Sequence, residues 1–187
     1  YQNLSDSSRR LANILLAARS ELTRAQLLEL MAIDQVGFEF AIQELVRSSV
    51  VERVMVEDGS ITFKIDGLVR DYLVRNHPPD NTTLSETRTA LEAWQNLMQE
   101  TATQRQVLRY KDGLIHAANA DQIITQRHLK SAIDLARKGD FKQALDACDT
   151  AERLAPDWWE IYRVRAQVLI NQDAPIYDIE EEFEKAV

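Results

Sequence analysis

The sequence predicts a mainly α-helical chain, with an N-terminal domain that adds a β-hairpin to its helices and a C-terminal array of stacked helices. Three observations carry this. Glycine and proline are scarce, at five and four of 187 residues. Ala, Leu, Glu, Arg and Gln are abundant, and these residues lose little side-chain freedom in a helix. One short stretch, residues 51–65, alternates in the manner of strands around a turn dipeptide, while the last third repeats with a fixed period.

"SDSSRRLANILLAAR" sets Leu11, Ile14, Leu15 and Ala18 on one helical face, with Ser5, Asp6 and Ser7 as cap candidates. "LTRAQLLELM" opens with Thr23 and has Gln26 three residues later, the spacing of a reciprocal capping box. Asp34 can cap a third helix, whose expected buried set is Val36, Phe40, Leu45 and Val46. "VVERVMV" and "SITFKI" then alternate around Asp58-Gly59, a pair suited to a tight hairpin. Asp66 precedes a closing helix, "LVRDYL", and is well placed to cap it. Three helices, a hairpin and a closing helix follow the winged-helix order, over residues 1–77.

A winged helix can read DNA with its third helix. Here that helix would present Gln35, Glu39, Gln43 and Arg47, one arginine against one glutamate, with no lysine before Lys64. The formal net charge of −8 also disfavours a phosphate-binding surface. A protein-packing face is the better expectation, and a DNA-binding regulator is the alternative.

"NHPPDNTT" ends this domain, and residues 78–83 read as a Pro-rich linker because Pro78 and Pro79 cannot continue a helix. Residues 84–124 read as bridging helices or a degenerate repeat. Leu84, Ala90, Leu91, Trp94, Leu97 and Met98 lie at helical spacing, and a break is expected between Gly113 and Ala120. The basic stretch Arg105, Arg109 and Lys111 with Tyr110 reads as a solvated helix face. From about Thr125 a shift of 34 residues superposes His128 on Tyr162, Ala132 on Ala166 and Leu135 on Leu169. Within that unit Ala132, Ala144 and Ala151 are small contact positions, Gly139-Asp140-Phe141 makes a turn, and Pro156 closes it. In the following unit Arg165 replaces an apolar residue, and "DAPIYD" replaces the glycine turn.

Two resemblances rest on these residues. Residues 125–187 resemble tetratricopeptide (TPR) repeats, cut short at the C-terminus. That likeness implies a concave face on the first helix of each repeat, with Gln126, Lys130, Arg163 and Gln167 turned toward a protein or peptide ligand. Residues 1–77 resemble the winged-helix region that follows the nucleotide-binding core of STAND-type signalling ATPases, the NB-ARC class. In that family a Met-His-Asp motif precedes a helix of the "LVRDYL" type, and its His touches the β-phosphate of ADP. The matching positions are Ile65, Asp66 and Gly67, so the donor is replaced by an anion. The resemblance implies Asp66 and Arg70 as nucleotide-sensing positions, and ATP or ADP held by an upstream domain of the same protein. Tyr1 at the start and "EEEFEKAV" at the end fit a segment of a longer chain.

The remaining expectations are exclusions. Neither GxxxxGK[ST] nor GxGxxG occurs, and no nucleophile elbow is present. His77, His116 and His128 have no metal-ligand spacing with each other or with Cys148, the single cysteine. No catalytic residue, metal or cofactor is therefore expected within the segment. A reduced, cytoplasmic setting without a membrane span is expected.

Overall fold

The computed structural model describes residues 4–56, 60–107, 115 and 117–186. The Asp58-Gly59 turn, the stretch around Arg109, Tyr110 and Lys111, and Gly113 lie outside the described residues. The chain is mainly helical with one small sheet, and it divides into two compact units, residues 1–105 and 106–187. Among the described residues no helix is long and apolar enough to cross a membrane.

The first unit starts with α1 (Asp6–Ala18), β1 (Leu22–Thr23), α2 (Arg24–Met31) and α3 (Gln35–Arg47). Of the three cap candidates for α1, Ser5 is the one used, accepting from the Ser8 amide. Both halves of the Thr23–Gln26 capping box form. Thr23 N–H donates to Gln26 Oε1 at 2.8 Å, and Gln26 N–H donates to Thr23 Oγ1 at 3.4 Å. Asp34 caps α3 by accepting from Gly37 N–H at 2.7 Å. The strands β2 (Val51–Met55) and β3 (Ile61–Ile65) pair antiparallel, Val51 opposite Ile65 and Met55 opposite Ile61. β1 adds to the other side of β3, giving the order β1-β3-β2. Two residues are too short for a strand alternation, so β1 leaves no sequence signal of its own.

The core of this unit joins Leu11 and Leu15 of α1, Leu27 and Met31 of α2, Phe38, Ile42 and Leu45 of α3, and Phe63 of β3. Phe38 and Phe63 meet edge to face, centroids 6.2 Å apart. The expected phase of α3 is corrected here. Phe38, Ala41, Ile42 and Leu45 form its buried stripe, while Val36 and Phe40 are 62% and 71% exposed. Position 38 with 41, 42 and 45 is a complete i, i+3, i+4, i+7 set, and rotating Phe40 inward would expel Phe38.

Asp66 caps α4 (Gly67–Asn76), accepting from Leu68 N–H at 2.9 Å. The long α5 (Asn81–Val107) begins inside the segment read as a linker. Asp80 sets that start by accepting from both the amide and the hydroxyl of Thr83, at 2.8 and 2.9 Å. Those two bonds, the amide's first, hold the Asp80 carboxyl below its usual pKa. Trp94 is the buried anchor of α5, and its indole N–H donates to Glu29 of α2 at 3.3 Å.

Among its described residues the second unit holds four helices after the end of α5: α6 (Ala120–Arg137), α7 (Phe141–Leu154), α8 (Glu160–Asn171) and α9 (Ile176–Lys185). α6 packs on α7, α7 and α6 on α8, and α8 on α9. Ala132, Ala144, Ala151 and Ala166 are fully buried, which lets these backbones approach closely. The period of 34 residues recurs in the geometry. Gly139 has φ +85° after α6, and Asp173 has φ +56° after α8. The next amides, Asp140 and Ala174, donate to Leu135 and Leu169 carbonyls, each at 3.0 Å. Asp173 thus performs the turn that the sequence appeared to have lost, since Asp tolerates the left-handed region better than most residues. α9 starts one residue late relative to α7, as the extra residue in "DAPIYD" requires.

Gly139→Ala adds a methyl that meets no neighbour within 4 Å but must sit at φ +85°. The expected cost is about 1 kcal/mol or more, from backbone strain alone. Faster hydrogen exchange in α6 and α7, with α1–α3 unchanged, is the measurement that checks it.

Candidate functional site

Two surfaces collect the sequence-derived candidates, one in each unit. On α3, Gln35, Gln43 and Arg47 are exposed as expected. Glu39 is not free to read a ligand: it is half-buried, and Arg24 Nη2 holds it at 3.3 Å. The same guanidinium lies over the Phe38 ring, 5.6 Å from its centroid. The dominant outward features are instead Val36 and Phe40, one turn apart. At its other side α3 is locked to the start of α1. Glu44 Oε2 accepts from Ser8 Oγ at 2.5 Å and from Ser5 Oγ at 2.7 Å. These bonds, Ser8 first, lower the Glu44 pKa.

Asp66 and Arg70 lie one turn apart at the start of α4, yet Asp66 is committed to its cap. Arg70 Nη2 donates to the Ile65 carbonyl at 3.4 Å, and its buried Nε has no partner. Of the two roles open to Asp66 in the sequence, the cap is the one its geometry performs.

In the second unit, α6 and α8 lie side by side and leave a groove of about 290 Å³. Ile133, Ala136, Val164 and Val168 supply its apolar lining, and Arg137, Arg163, Gln167 and Asn171 its polar one. Two of the four expected concave-face residues, Arg163 and Gln167, are therefore here. Lys130 is exposed on α6, one turn before Ile133. Gln126 is a correction. It is buried, and its Nε2 donates to the Ile115 carbonyl at 2.7 Å, so it closes an internal backbone group. Arg137 and Asn171 were not singled out in the sequence. Their signal was the repeat itself, because they occupy equivalent positions 34 residues apart.

Behind the groove, Arg165 explains its own departure from the apolar pattern. Its side chain is 11% exposed and reaches Asp149 at 2.8 Å and Glu152 at 2.6 Å on α7, and Glu182 at 3.3 Å on α9. Burial works against its charge, but the carboxylates of Glu152, Glu182 and Asp149 outweigh that and raise its pKa. Lys185 holds the other Glu182 oxygen at 3.1 Å. Cys148 is buried nearby, and burial pushes its thiol up to about 12, so it is a packing residue and not a nucleophile. Among the described residues no cluster of His, Cys, Asp and Glu is arranged to hold a metal ion.

Burial, followed by the charges of Arg127 and Arg153, pushes His128 down to about 4. Arg127 Nε donates to its Nε2 at 3.4 Å, which requires the unprotonated nitrogen. Above pH 6.5 the imidazole is neutral both folded and unfolded. As pH falls from 6.5 toward 4 the unfolded chain binds the proton first, and the fold loses stability.

Two outcomes are expected. Arg165→Met leaves the buried Glu182 carboxylate with Lys185 as its remaining cation and destabilises the second unit by roughly 3 kcal/mol. Adding Glu182→Gln recovers part of that loss, and the coupling is read from a double-mutant cycle in urea. Lowering pH from about 7 to about 5.5 weakens the same unit by on the order of 1 kcal/mol, allowing for partial solvent screening. His128→Gln flattens that dependence. Comparison with protein-family models, with curated proteins and with solved structures returns no match for this chain.

Proposed function

We propose that the chain is a non-catalytic regulatory relay of a STAND-type signalling ATPase. Residues 1–77 of its first unit form a winged helix that packs on the upstream nucleotide-binding core, and residues 125–187 of its second form a TPR-like sensor that receives a protein or peptide ligand. The helix order, the closing helix "LVRDYL" and the β1-β3-β2 sheet support the winged-helix part. The turn geometry repeated at 34 residues supports the TPR-like part. ATP or ADP belongs to the upstream core, and the setting is cytoplasmic.

The observation that carries the relay reading is the outward face of α3. Val36 and Phe40 stand where a DNA reader would place side chains against a duplex, and Glu39 is tied to Arg24. An apolar pair flanked by Gln43 and Arg47 suits a protein surface, because phosphate contact needs clustered cations. A ligand on the second unit would then favour release of the winged helix from that core, by a differential affinity of a few kcal/mol.

The rival reading is a DNA-binding regulator with a sensing tail, favoured only by the exposure of Gln43 and Arg47. Titration with a fluorescent duplex separates the two. The relay predicts, at about 150 mM salt, nothing tighter than non-specific binding, on the order of 10⁻⁴ M. It also predicts no ATP hydrolysis by this chain alone. Tight, steeply salt-dependent binding would establish the rival.

A further inference from the structure

The sheet order β1-β3-β2 leaves the outer edge of β2 without a partner strand among the described residues. One bond fixes the direction of its main-chain groups. Val56 N–H donates to the Ser60 carbonyl at 2.9 Å, and the register continues with Val54 opposite Thr62 and Glu52 opposite Lys64. Antiparallel partners alternate between bonded and non-bonded pairs, so Glu52, Val54 and Val56 turn their N–H and C=O toward β3. Those of Arg53 and Met55, both exposed residues, therefore point outward.

Proteins guard such edges with charge, proline or a bulge. β2 has no proline and pairs with β3 without interruption from Val51 to Met55. Its two charges lean away from the edge. Glu52 lies 3.7 Å from Lys64 of β3, and the Arg53 guanidinium lies over the Phe63 ring, 5.9 Å from its centroid. What remains at the edge is apolar: Met55 is 78% exposed, Val56 is exposed and Val54 is half-buried.

A second β2, antiparallel about a two-fold axis, meets the first in few registers. Centred on residue 53 it sets Arg53 against Arg53, and centred on 52 it sets Glu52 against Glu52, like charges directly opposite. Centred on 55, the overlap shrinks to Val54, Met55 and Val56 among the described residues. Centred on 54, it sets Val54 against Val54, Met55 against Arg53 and Val56 against Glu52. This register avoids directly opposed like charges and gathers the apolar side chains around the axis. The outward groups of Arg53 and Met55 then exchange main-chain bonds between the copies. The strand is its own complement.

We propose that β2 is the joint of a homodimer, two copies pairing edge to edge with Val54 at the two-fold axis. The two sheets then run on as one. The contact stands independently of the ATPase reading. A joint of one strand pair is small, so association is expected to be weak, with a Kd on the order of 10⁻⁴ M.

The test is sedimentation of the 187-residue chain from about 10 to about 500 µM, across which monomer is expected to give way to dimer. Met55→Lys puts a cation opposite Arg53 of the other copy and should raise Kd at least about five-fold. Met55→Pro removes an outward amide that β3 does not use and should do the same, an unchanged thermal melt showing that the fold is kept. A disulfide reports the register. Val54→Cys places the two new thiols in a non-bonded pair, with Cα atoms about 4.5 Å apart, and should oxidise to a covalent dimer. The native Cys148 is buried and takes no part. A chain that stays monomeric throughout, or a dimer indifferent to both Met55 variants, overturns the joint. Faster oxidation of Glu52→Cys or Met55→Cys than of Val54→Cys overturns the axis at Val54.

Discussion

Arg165 is the side chain on which the second unit's architecture turns. α9 brings one buried residue to its neighbours, and that residue is Glu182, a carboxylate. Of its large apolar side chains, Ile176, Tyr177 and Phe183 stay exposed and Ile179 is half-buried. What fixes the position of α9 is therefore directional: a guanidinium on α8 that accepts only one placement of Asp149, Glu152 and Glu182 around its fork. An apolar residue here would bind α9 with less regard for register. Burying a charge is unfavourable by itself, and three carboxylates with Tyr162 beside them are what make it tolerable.

The same unit depends on close approach elsewhere. Fully buried alanines on α6, α7 and α8 bring the helices together, and two left-handed residues, Gly139 and Asp173, reverse the chain at equivalent places in the repeat. Because α6 and α8 stand at equivalent places in this repeat, their outward residues fall into one groove. Its floor comes from residues that also touch the core, so the groove is as rigid as the packing behind it. The first unit presents the opposite kind of surface, a convex helix face with an apolar pair and a salt-bridged glutamate. Neither surface carries the clustered cations or the acid–base pair that nucleic acid or catalysis would need.

Local chemistry was legible wherever a residue acts on its own backbone. Ser5, Thr23 with Gln26, Asp34 and Asp66 cap the helices they were expected to cap. Gly139 takes positive φ, and the small positions of the repeat are buried. The misread residues are those whose role needs a distant partner. Phe38 and Phe40 are equally apolar and two positions apart; the spacing of Phe38 with Ala41, Ile42 and Leu45 favours Phe38, and Phe63, on a strand twenty-five residues further on, gives it the ring it packs against. Gln126 was read as a surface amide because nothing in a helix announces that a loop carbonyl, that of Ile115, will need a donor.

The sequence by itself determined the element order, the caps, the helical bias and the 34-residue period, because each arises from interactions within a few residues along the chain. The tertiary structure alone decided the pairing of β1 with β3, the loop carbonyl that Gln126 answers, and the carboxylates gathered around Arg165. Those outcomes depend on which side chains meet across elements. Burial then converts such a meeting into a large energy difference, as it does for Arg165 on α8 and Glu182 on α9.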